Sequence, residues 1–154
     1  MQSLDWKSTT HYWIWGVSGA GKSWMARTHY TVGEYFTKTH DKWWCGYRLE
    51  PTVLYDDIDG QSDILHLMSK LKTIADIYPF PAPVKHHPSL SIRPQRIIVT
   101  ANMSIDQIMD RFPLQEQMRG PLLRRFTQIE MKQKYISARK PGGISGSHQK
   151  KGFD

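Results

Sequence analysis

The sequence has little cysteine, no long apolar run and few acidic residues, and each shortage excludes a class of protein. It has a single cysteine, Cys45, so no disulfide can form within the chain, and a reducing compartment is expected. No apolar run approaches the roughly 20 residues that cross a bilayer, and residues 1–10 are polar, without the apolar core of a signal peptide. Acidic residues number 14 against 21 lysines and arginines. We therefore predict one soluble, intracellular domain with a polyanionic partner.

What the sequence does have is a phosphate-binding pattern near its start. Residues 16–23, GVSGAGKS, fit G-x-x-x-x-G-K-[ST] and lie between an apolar run and a segment without Gly or Pro, as a loop between strand and helix should. Its glycines let successive backbone N–H groups point into one anion-sized hollow. Lys22 then reaches the β- and γ-phosphates, and the Ser23 hydroxyl reaches Mg²⁺. This predicts an ATP and Mg²⁺ site formed by Gly16, Ser18, Gly19, Ala20, Gly21, Lys22 and Ser23.

Two further apolar runs, predicted as buried strands, end in polar side chains. Residues 52–55 lead into Asp56 and Asp57. We assign Asp56 to Mg²⁺ and Asp57 to the attacking water, although the reverse assignment is open and adjacent acids elsewhere are usually a solvated turn. Residues 96–101 lead into Asn102, where many ring ATPases place a residue that senses the γ-phosphate; an asparagine there can also be a simple turn residue.

The remaining elements are a helix, a hairpin and several short pieces. Ile64, Met68, Leu71 and Ala75 recur at helical spacing within a predicted helix 62–76, capped by Ser62 or Asp59. Residues 78–94 hold five of the nine prolines around Lys85-His86-His87, which favours a hairpin with a basic tip over an ordinary surface loop. Two adjacent histidines without further ligands do not predict zinc. Short strands are predicted at 33–39 and 127–131, and a short helix at 105–112.

Arg124 and Arg125 lie between apolar residues in the sequence LLRRF. Paired arginines are usually surface charge, but at this position an arginine finger that completes a neighbour's nucleotide site is the sharper hypothesis. For the whole chain we predict a linker at residues 1–11, an ATPase domain at 12–136 and a disordered basic tail at 137–154, which is rich in Gly, Ser and Lys.

Taken in order, these motifs resemble the superfamily 3 helicase domain of the replication initiator (Rep) proteins of circular single-stranded DNA viruses, the circoviruses and their relatives. The most telling piece is residues 42–47, KWWCGY, ahead of the acidic pair, where that family has K-W-W-D-G-Y. Residues 78–79, 84–85, 94–102 and 122–126 match as well. The similarity extends over residues 12–132.

The resemblance implies an α/β P-loop NTPase of the AAA+ type, with three layers and a mostly parallel sheet, assembled as a hexameric ring in the host nucleus. ATP would bind between subunits, with Arg124 or Arg125 supplied in trans. The hairpin residues Lys85, His86 and His87 would contact single-stranded DNA, and hydrolysis would drive 3′→5′ translocation. The family's endonuclease domain would lie upstream; its histidines and nicking tyrosine are not found in this chain, which we therefore expect not to nick DNA.

Three departures from the family pattern concern the DNA contact and the acidic strand. Cys45 replaces Asp, His86-His87 replaces Gly-Gly after the hairpin lysine, and Ile58 replaces the usual aromatic after Asp57. The leading hypothesis is an ATP-dependent DNA helicase motor. The alternatives are a P-loop kinase for a small molecule or nucleotide, and a nucleotide-gated oligomerisation module with weak hydrolysis.

Overall fold

The computed structural model describes residues 10–31 and 33–132. Within these residues the strands are β1 His11–Gly16, β2 Tyr35–Thr37, β3 Thr52–Tyr55, β4 Phe80–Val84, β5 His87–Ile92, β6 Arg96–Ala101 and β7 Phe126–Met131. The α-helices of the same residues are α1 Lys22–His29, α2 Ile64–Ile74, α3 Ile105–Met109 and α4 Arg119–Arg125, with 3₁₀ turns at Ile58–Gly60 and Pro113–Met118. The predicted tail 137–154 and residues 1–9 of the predicted linker lie outside the described residues. His11, placed in that linker, is the first residue of β1.

The central sheet has the strand order β2-β3-β6-β1-β7, and every neighbouring pair is parallel. Strand β6 lies between the other two strands that end in predicted site residues, with Ile98 opposite both Tyr12 and Leu54. The carboxyl ends of β1, β3 and β6 therefore meet at one edge of the sheet. The predicted α/β class with a parallel central sheet is confirmed.

Alternate residues of the strands pack against helices on opposite faces of the sheet. On one face the fully buried Ile14, Leu54 and Ile98 pack with Ala26 of α1. The other face buries a larger set against α2, α3 and α4: Trp13, Val53, Tyr55, Ile97, Val99, Met68, Leu71, Ile108 and Leu122. Each such side chain contributes on the order of 2 kcal/mol when buried. Burial on both faces explains why these strands are continuous apolar runs, and it gives the three predicted layers.

The helix ends differ from prediction in detail. Helix α2 is capped by the Asp63 carboxylate, which accepts from the His66 N–H at 3.2 Å, so the predicted caps Ser62 and Asp59 are wrong. Ser62 lies one residue too early to reach the first free N–H groups. Helix α3 begins with a capping box between Ser104 and Gln107, and it ends at Met109, short of the predicted residue 112.

The predicted hairpin is confirmed as a separate two-stranded antiparallel sheet, β4 and β5. The buried pair Phe80 and Ile92 joins its base to the core, while the turn residues Lys85 and His86 are exposed. His86 has a φ of 66°, a left-handed conformation that the glycine usual in the family adopts without strain. The hairpin is thus anchored at its base and open at its tip.

Candidate nucleotide site and hairpin

The loop between β1 and α1 has the conformation that the glycine pattern predicts. Gly19 and Gly21 have φ values of 82° and 88°, and α1 begins directly afterwards at Lys22. Gly16 has a φ of 152°, and a Cβ atom there would overlap the Met131 carbonyl of the neighbouring strand. Glycine is therefore required at these three positions by the backbone and by the packing of β7. The N-terminus of α1 points its dipole to the inside of the loop.

Lys22 lies across the mouth of this loop and is 9% exposed. Its Nζ donates to the carbonyls of Gly16 at 3.1 Å and Val17 at 3.0 Å, and to Asn102 Oδ1 at 3.1 Å. The first side chain of α1 and the side chain that directly follows β6, predicted separately from two motifs, are thus joined by a hydrogen bond. An ammonium held by three neutral oxygens remains available to an incoming phosphate, because a phosphate offers a stronger, charged acceptor.

Asp56 is the centre of the polar network at this sheet edge. Its Oδ1 accepts from the hydroxyls of Ser23 at 2.7 Å and Thr100 at 2.6 Å, and its Oδ2 from the Arg27 guanidinium at 3.3 Å. Burial acts to raise the pKa of Asp56, but the hydrogen bonds from Thr100 and Ser23 and the charge of Arg27 together lower it. The carboxylate is therefore ionised at neutral pH.

The two acids after Asp56 have different surroundings. Asp57 is exposed, has a φ of 54°, and donates its backbone N–H to Thr100 Oγ1 at 2.7 Å. Asp59 accepts the backbone N–H of Asn102 at Oδ1, while its Oδ2 is buried without a hydrogen-bond partner among the described residues. Two carboxylates, rather than the single Asp57 that we predicted, therefore lie beside the Asp56 and Asn102 cluster.

The basic residues Lys85, His86 and His87 lie together at the hairpin turn, and all three are exposed. The segment 42–47 packs alongside them: the Trp44 N–H donates to the Pro83 carbonyl at 2.8 Å, and the Lys85 N–H lies 3.5 Å from Cys45 Sγ. The hairpin tip and the KWWCGY segment thus form one surface, which we call the hairpin face.

Comparison with known proteins places this geometry in a family. A family model described as RNA helicase matches residues 12–103, which contain the phosphate loop, the acidic strand, the hairpin and Asn102. The chain belongs to the RNA helicase family.

Curated relatives of this helicase-family chain are viral replication proteins, as the resemblance predicted. It is 32% identical to the replication-associated protein of Porcine circovirus 1 over 108 residues, 68% of this chain and 32% of that one. With the replication-associated protein of Beak and feather disease virus it is 30% identical over 116 residues, 75% of this chain and 36% of that one. The chain spans about a third of the length of these curated relatives. A crystal structure of JCV helicase aligns with a TM-score of 0.46 at 14% identity, over 83% of this chain and 37% of that one.

Arg124 and Arg125 lie at the amino ends of the sheet strands, opposite the carboxyl ends where the phosphate loop lies. They end α4, and the next residue, Phe126, pairs with His11 at the start of β1. The length of β1, roughly 17 Å at about 3.3 Å per residue, separates that edge from Gly16. Arg125 pairs with Asp76 at 3.3 Å, whereas Arg124 is exposed and has no ion pair within residues 10–31 and 33–132.

Three residues of the site were not predicted: Thr100, Arg27 and Asp59. Thr100 is the polar residue within the apolar run of β6, and Arg27 follows Ser23 by four residues, one helical turn. Both positions could have been noticed from spacing, but their contact with Asp56 depends on the sheet order. No helix in the part of the chain that the structure describes is long and apolar enough to cross a membrane.

Proposed function

We propose that this chain is the ATP-hydrolysing motor domain of a replication-associated DNA helicase. The observation that carries the proposal is the convergence, at the carboxyl ends of β1, β3 and β6, of two hydrogen-bonded pairs, Lys22 with Asn102 and Ser23 with Asp56. Membership of the RNA helicase family supports the helicase class, and the viral relatives support a role in replication.

The side chains present fit ATP and Mg²⁺. Ser23 Oγ and Asp56 Oδ1, 2.7 Å apart, are hard oxygen donors of the kind that Mg²⁺ takes from proteins when phosphates supply further ligands. The glycine loop and the N-terminus of α1 supply N–H groups for the phosphates, and Lys22 supplies a charge. When bound, the ion neutralises charge on the β- and γ-phosphate oxygens.

Hydrolysis further requires an oriented water, which we assign to Asp57. Its exposed carboxylate follows the Asp56 ligand directly and makes no side-chain hydrogen bond among the described residues. Asn102, held to Lys22 through its side chain and to Asp59 through its backbone, is positioned to sense whether the γ-phosphate is present. Nucleotide binding that alters the Lys22 to Asn102 hydrogen bond would shift Asn102 and with it β6, which ends at the preceding residue.

The distance between the arginines and the phosphate loop supports a shared site. Because a strand length separates them, Arg124 cannot complete the nucleotide site of its own chain. An exposed arginine at the far edge can instead reach the site of a neighbour in a head-to-tail ring, the arrangement that makes each site depend on two subunits. The Lys85 tips would then project from each subunit toward the single strand.

The structure offers little for the kinase alternative. A kinase needs a lid over its acceptor, and the described residues between α1 and β3 contain the short edge strand β2 and the KWWCGY segment that packs on the hairpin, with no helix. The oligomerisation alternative differs from the motor in turnover and is separated from it by the experiment below.

The test is ATP turnover with and without single-stranded DNA. We expect turnover that DNA stimulates, and a fall of about 10²- to 10³-fold in Lys22→Ala, typical of losing one charge-stabilising donor. Nucleotide binding without turnover would favour the oligomerisation module, and full turnover in Lys22→Ala would refute the site.

The DNA contact is tested by Lys85→Ala, with Lys72→Ala on α2 as the matched control. Lys85→Ala should weaken single-strand binding and reduce the slope of log affinity against log salt by about 0.7, the value for one lost phosphate contact. It should spare nucleotide affinity. Equal DNA binding by both variants would remove the hairpin from the proposal.

A further inference from the structure

A cavity of about 480 Å³ lies between α2 and the base of the hairpin, on the face of the sheet that α2 covers. Its volume is in the range of sites for small organic ligands, about 300 to 1,000 Å³. Its walls come from α2, from β4 and β5, from the segment 38–44 and from Tyr55 at the end of β3. No residue of the phosphate loop lines it, and neither does Asp56 or Asn102. The cavity is therefore separate from the proposed nucleotide site, whose helix α1 covers the opposite face.

The floor of the cavity is aromatic. Trp44, Tyr55 and Phe80 border it, and each is at most 6% exposed. The rings of Trp44 and Phe80 have centroids 5.6 Å apart and planes inclined at 54°. The buried Lys38 ammonium lies 5.2 Å from the Trp44 centroid and already donates to two backbone carbonyls, at 2.8 and 2.6 Å. Such a floor accepts a further ring in offset or edge-to-face contact, which favours a planar aromatic ligand.

Tyr55 adds a hydrogen-bond donor without a partner. The residue is 2% exposed, and its hydroxyl makes no hydrogen bond within residues 10–31 and 33–132. Burial, with the charge of Asp41, raises the pKa of this hydroxyl well above its ordinary value, so it keeps its proton at neutral pH. Buried hydroxyls are normally paired, because burying one without a partner costs stability. The position of Tyr55 therefore indicates an acceptor that enters the cavity.

The charged groups at the cavity favour an anion as that acceptor. Lys42 and Lys70 border the cavity, both are exposed, and neither forms an ion pair within the described chain. The acids that border it already have partners. The Asp41 carboxylate accepts from a hydroxyl and a backbone N–H at 2.8 and 2.9 Å, and Asp63 accepts a backbone N–H at 3.2 Å as the cap of α2. The charge that remains available to a ligand is thus positive.

We propose that this cavity is a binding site for a small aromatic anion, with its ring on the floor formed by Trp44 and Phe80, an acceptor on the Tyr55 hydroxyl and its charge beside Lys70. The inference goes beyond the proposed function and does not depend on it, because it requires neither ATP nor Mg²⁺. The aromatic floor supplies the affinity for the ring, and the hydroxyl and the lysine select the charged compound over a neutral one.

The experiment uses two fluorescent probes with the same rings: the anion 1-anilinonaphthalene-8-sulfonate and the neutral N-phenyl-1-naphthylamine. The sulfonate should bind the full chain at one site. Tyr55→Phe should weaken sulfonate binding on the order of 10-fold, the scale of a hydrogen bond to a charged group, and leave amine binding unchanged. Lys70→Ala should weaken sulfonate binding about 2- to 5-fold. Lys72→Ala, on the same helix but outside the cavity, should change neither.

Controls for folding and for the nucleotide site accompany the titrations. Tyr55→Phe removes a hydroxyl that has no partner in the described chain, so it should unfold at the same urea concentration as the unsubstituted chain. Any loss of sulfonate binding is then the loss of a direct contact. A saturating non-hydrolysable ATP analogue should not displace the sulfonate, and Lys22→Ala should bind the sulfonate as the unsubstituted chain does.

Four results would overturn the inference. Unchanged sulfonate binding in Tyr55→Phe removes the hydroxyl from the contact, and equal weakening of both probes removes the selection for charge. Displacement by the ATP analogue assigns the probe to the nucleotide site. Several equivalent probes per chain indicate adsorption to exposed apolar surface. None of these results affects the proposed function, and absent ATP turnover with intact probe binding would refute the motor while the cavity site stands.

Discussion

Cations at the nucleotide loop are bound by oxygen atoms of their own chain, whereas cations at the hairpin face are exposed. Lys22 and Arg27 are held by oxygens of their own chain, Lys22 by three and Arg27 by the Asp56 carboxylate. Lys42 and Lys85 are exposed and lie against an indole, without a carboxylate partner among the described residues. One group is enclosed and the other is open.

Under the proposed function, the difference reflects the state of each group before its ligand binds. A charge inside a site needs partners at all times, because leaving it desolvated and unpaired costs several kcal/mol. A ligand of the enclosed group must therefore displace existing contacts, which makes binding selective. An open cation gives up only water and a weak ring contact, so it suits a phosphate chain that must be bound and released repeatedly. Substitutions of enclosed cations should thus affect folding and nucleotide affinity, and substitutions of open cations should affect partners.

The two arginines that end α4 provide the largest test, since Arg125 is enclosed and Arg124 is open. Arg124→Ala should lower ATP turnover about 10³-fold with nucleotide binding retained, the scale of a lost arginine finger. Arg125→Ala, which breaks the pair with Asp76, should lower the free energy of unfolding by about 1 kcal/mol or less and leave most of the turnover. Steady-state turnover and urea unfolding of both variants measure the two effects.

Mixing provides the control for the arginine prediction. Subunits carrying Arg124→Ala keep an intact phosphate loop, and subunits carrying Lys22→Ala keep an intact arginine, so a mixture should recover part of the activity if sites are shared. Turnover that stays at background in the mixture, or a finger effect at Arg125 instead, would contradict the division into enclosed and open groups.

The parts that the sequence predicted well are those where local pattern and tertiary role coincide. Strands β1, β3 and β6 are buried on both faces, so each is an apolar run, and each leads directly into a segment proposed for the site: the glycine loop, Asp56 and Asn102. The prolines of β4 and β5 favour extended backbone, which predicted the hairpin.

The parts that were missed depend on which elements become neighbours. Arg27, on the helix after β1, contacts Asp56 only because a single strand, β6, separates β1 from β3. Trp43 lies beside Lys85 because the KWWCGY segment packs on β4. Neither contact has a sequence period that could reveal it. The cap of α2 was misplaced because Asp59, Ser62 and Asp63 are all good caps and backbone geometry alone selects among them.

His11 extends the comparison to a basic group that is buried in its neutral form. Burial, with the charges of Arg93 and Arg96 nearby, lowers the pKa of His11 to about 4, and its Nδ1 accepts the Ile97 N–H at 2.9 Å. The unfolded chain takes up this proton below pH 6.5 and the folded chain does not until about pH 4. Stability should therefore be full above pH 6.5 and fall by about 2 kcal/mol between pH 7.5 and 5.

Urea unfolding at the two pH values measures this loss. His11→Asn keeps an acceptor for the Ile97 N–H without a titrating group, so its free energy of unfolding should change much less between pH 7.5 and 5. His29→Asn, at an exposed histidine, should retain the full pH dependence. A slope that is equal in all three proteins would assign the acid sensitivity to other groups.

Arg27 gives the smallest and most specific test of an enclosed cation. Its guanidinium occupies Asp56 Oδ2 while Ser23 and Thr100 occupy Oδ1, so an ion at Asp56 must displace the arginine or share the carboxylate with it. The pair is about a third exposed on the arginine side, which limits its strength to roughly 1 kcal/mol. Arg27→Met should therefore tighten Mg²⁺ binding at saturating nucleotide by about 2- to 5-fold in calorimetric titration, whereas Arg48→Met should not. Weaker Mg²⁺ binding in Arg27→Met would show that the guanidinium contacts the bound phosphates. Arg27 would then belong with the open cations, whose partner is a ligand.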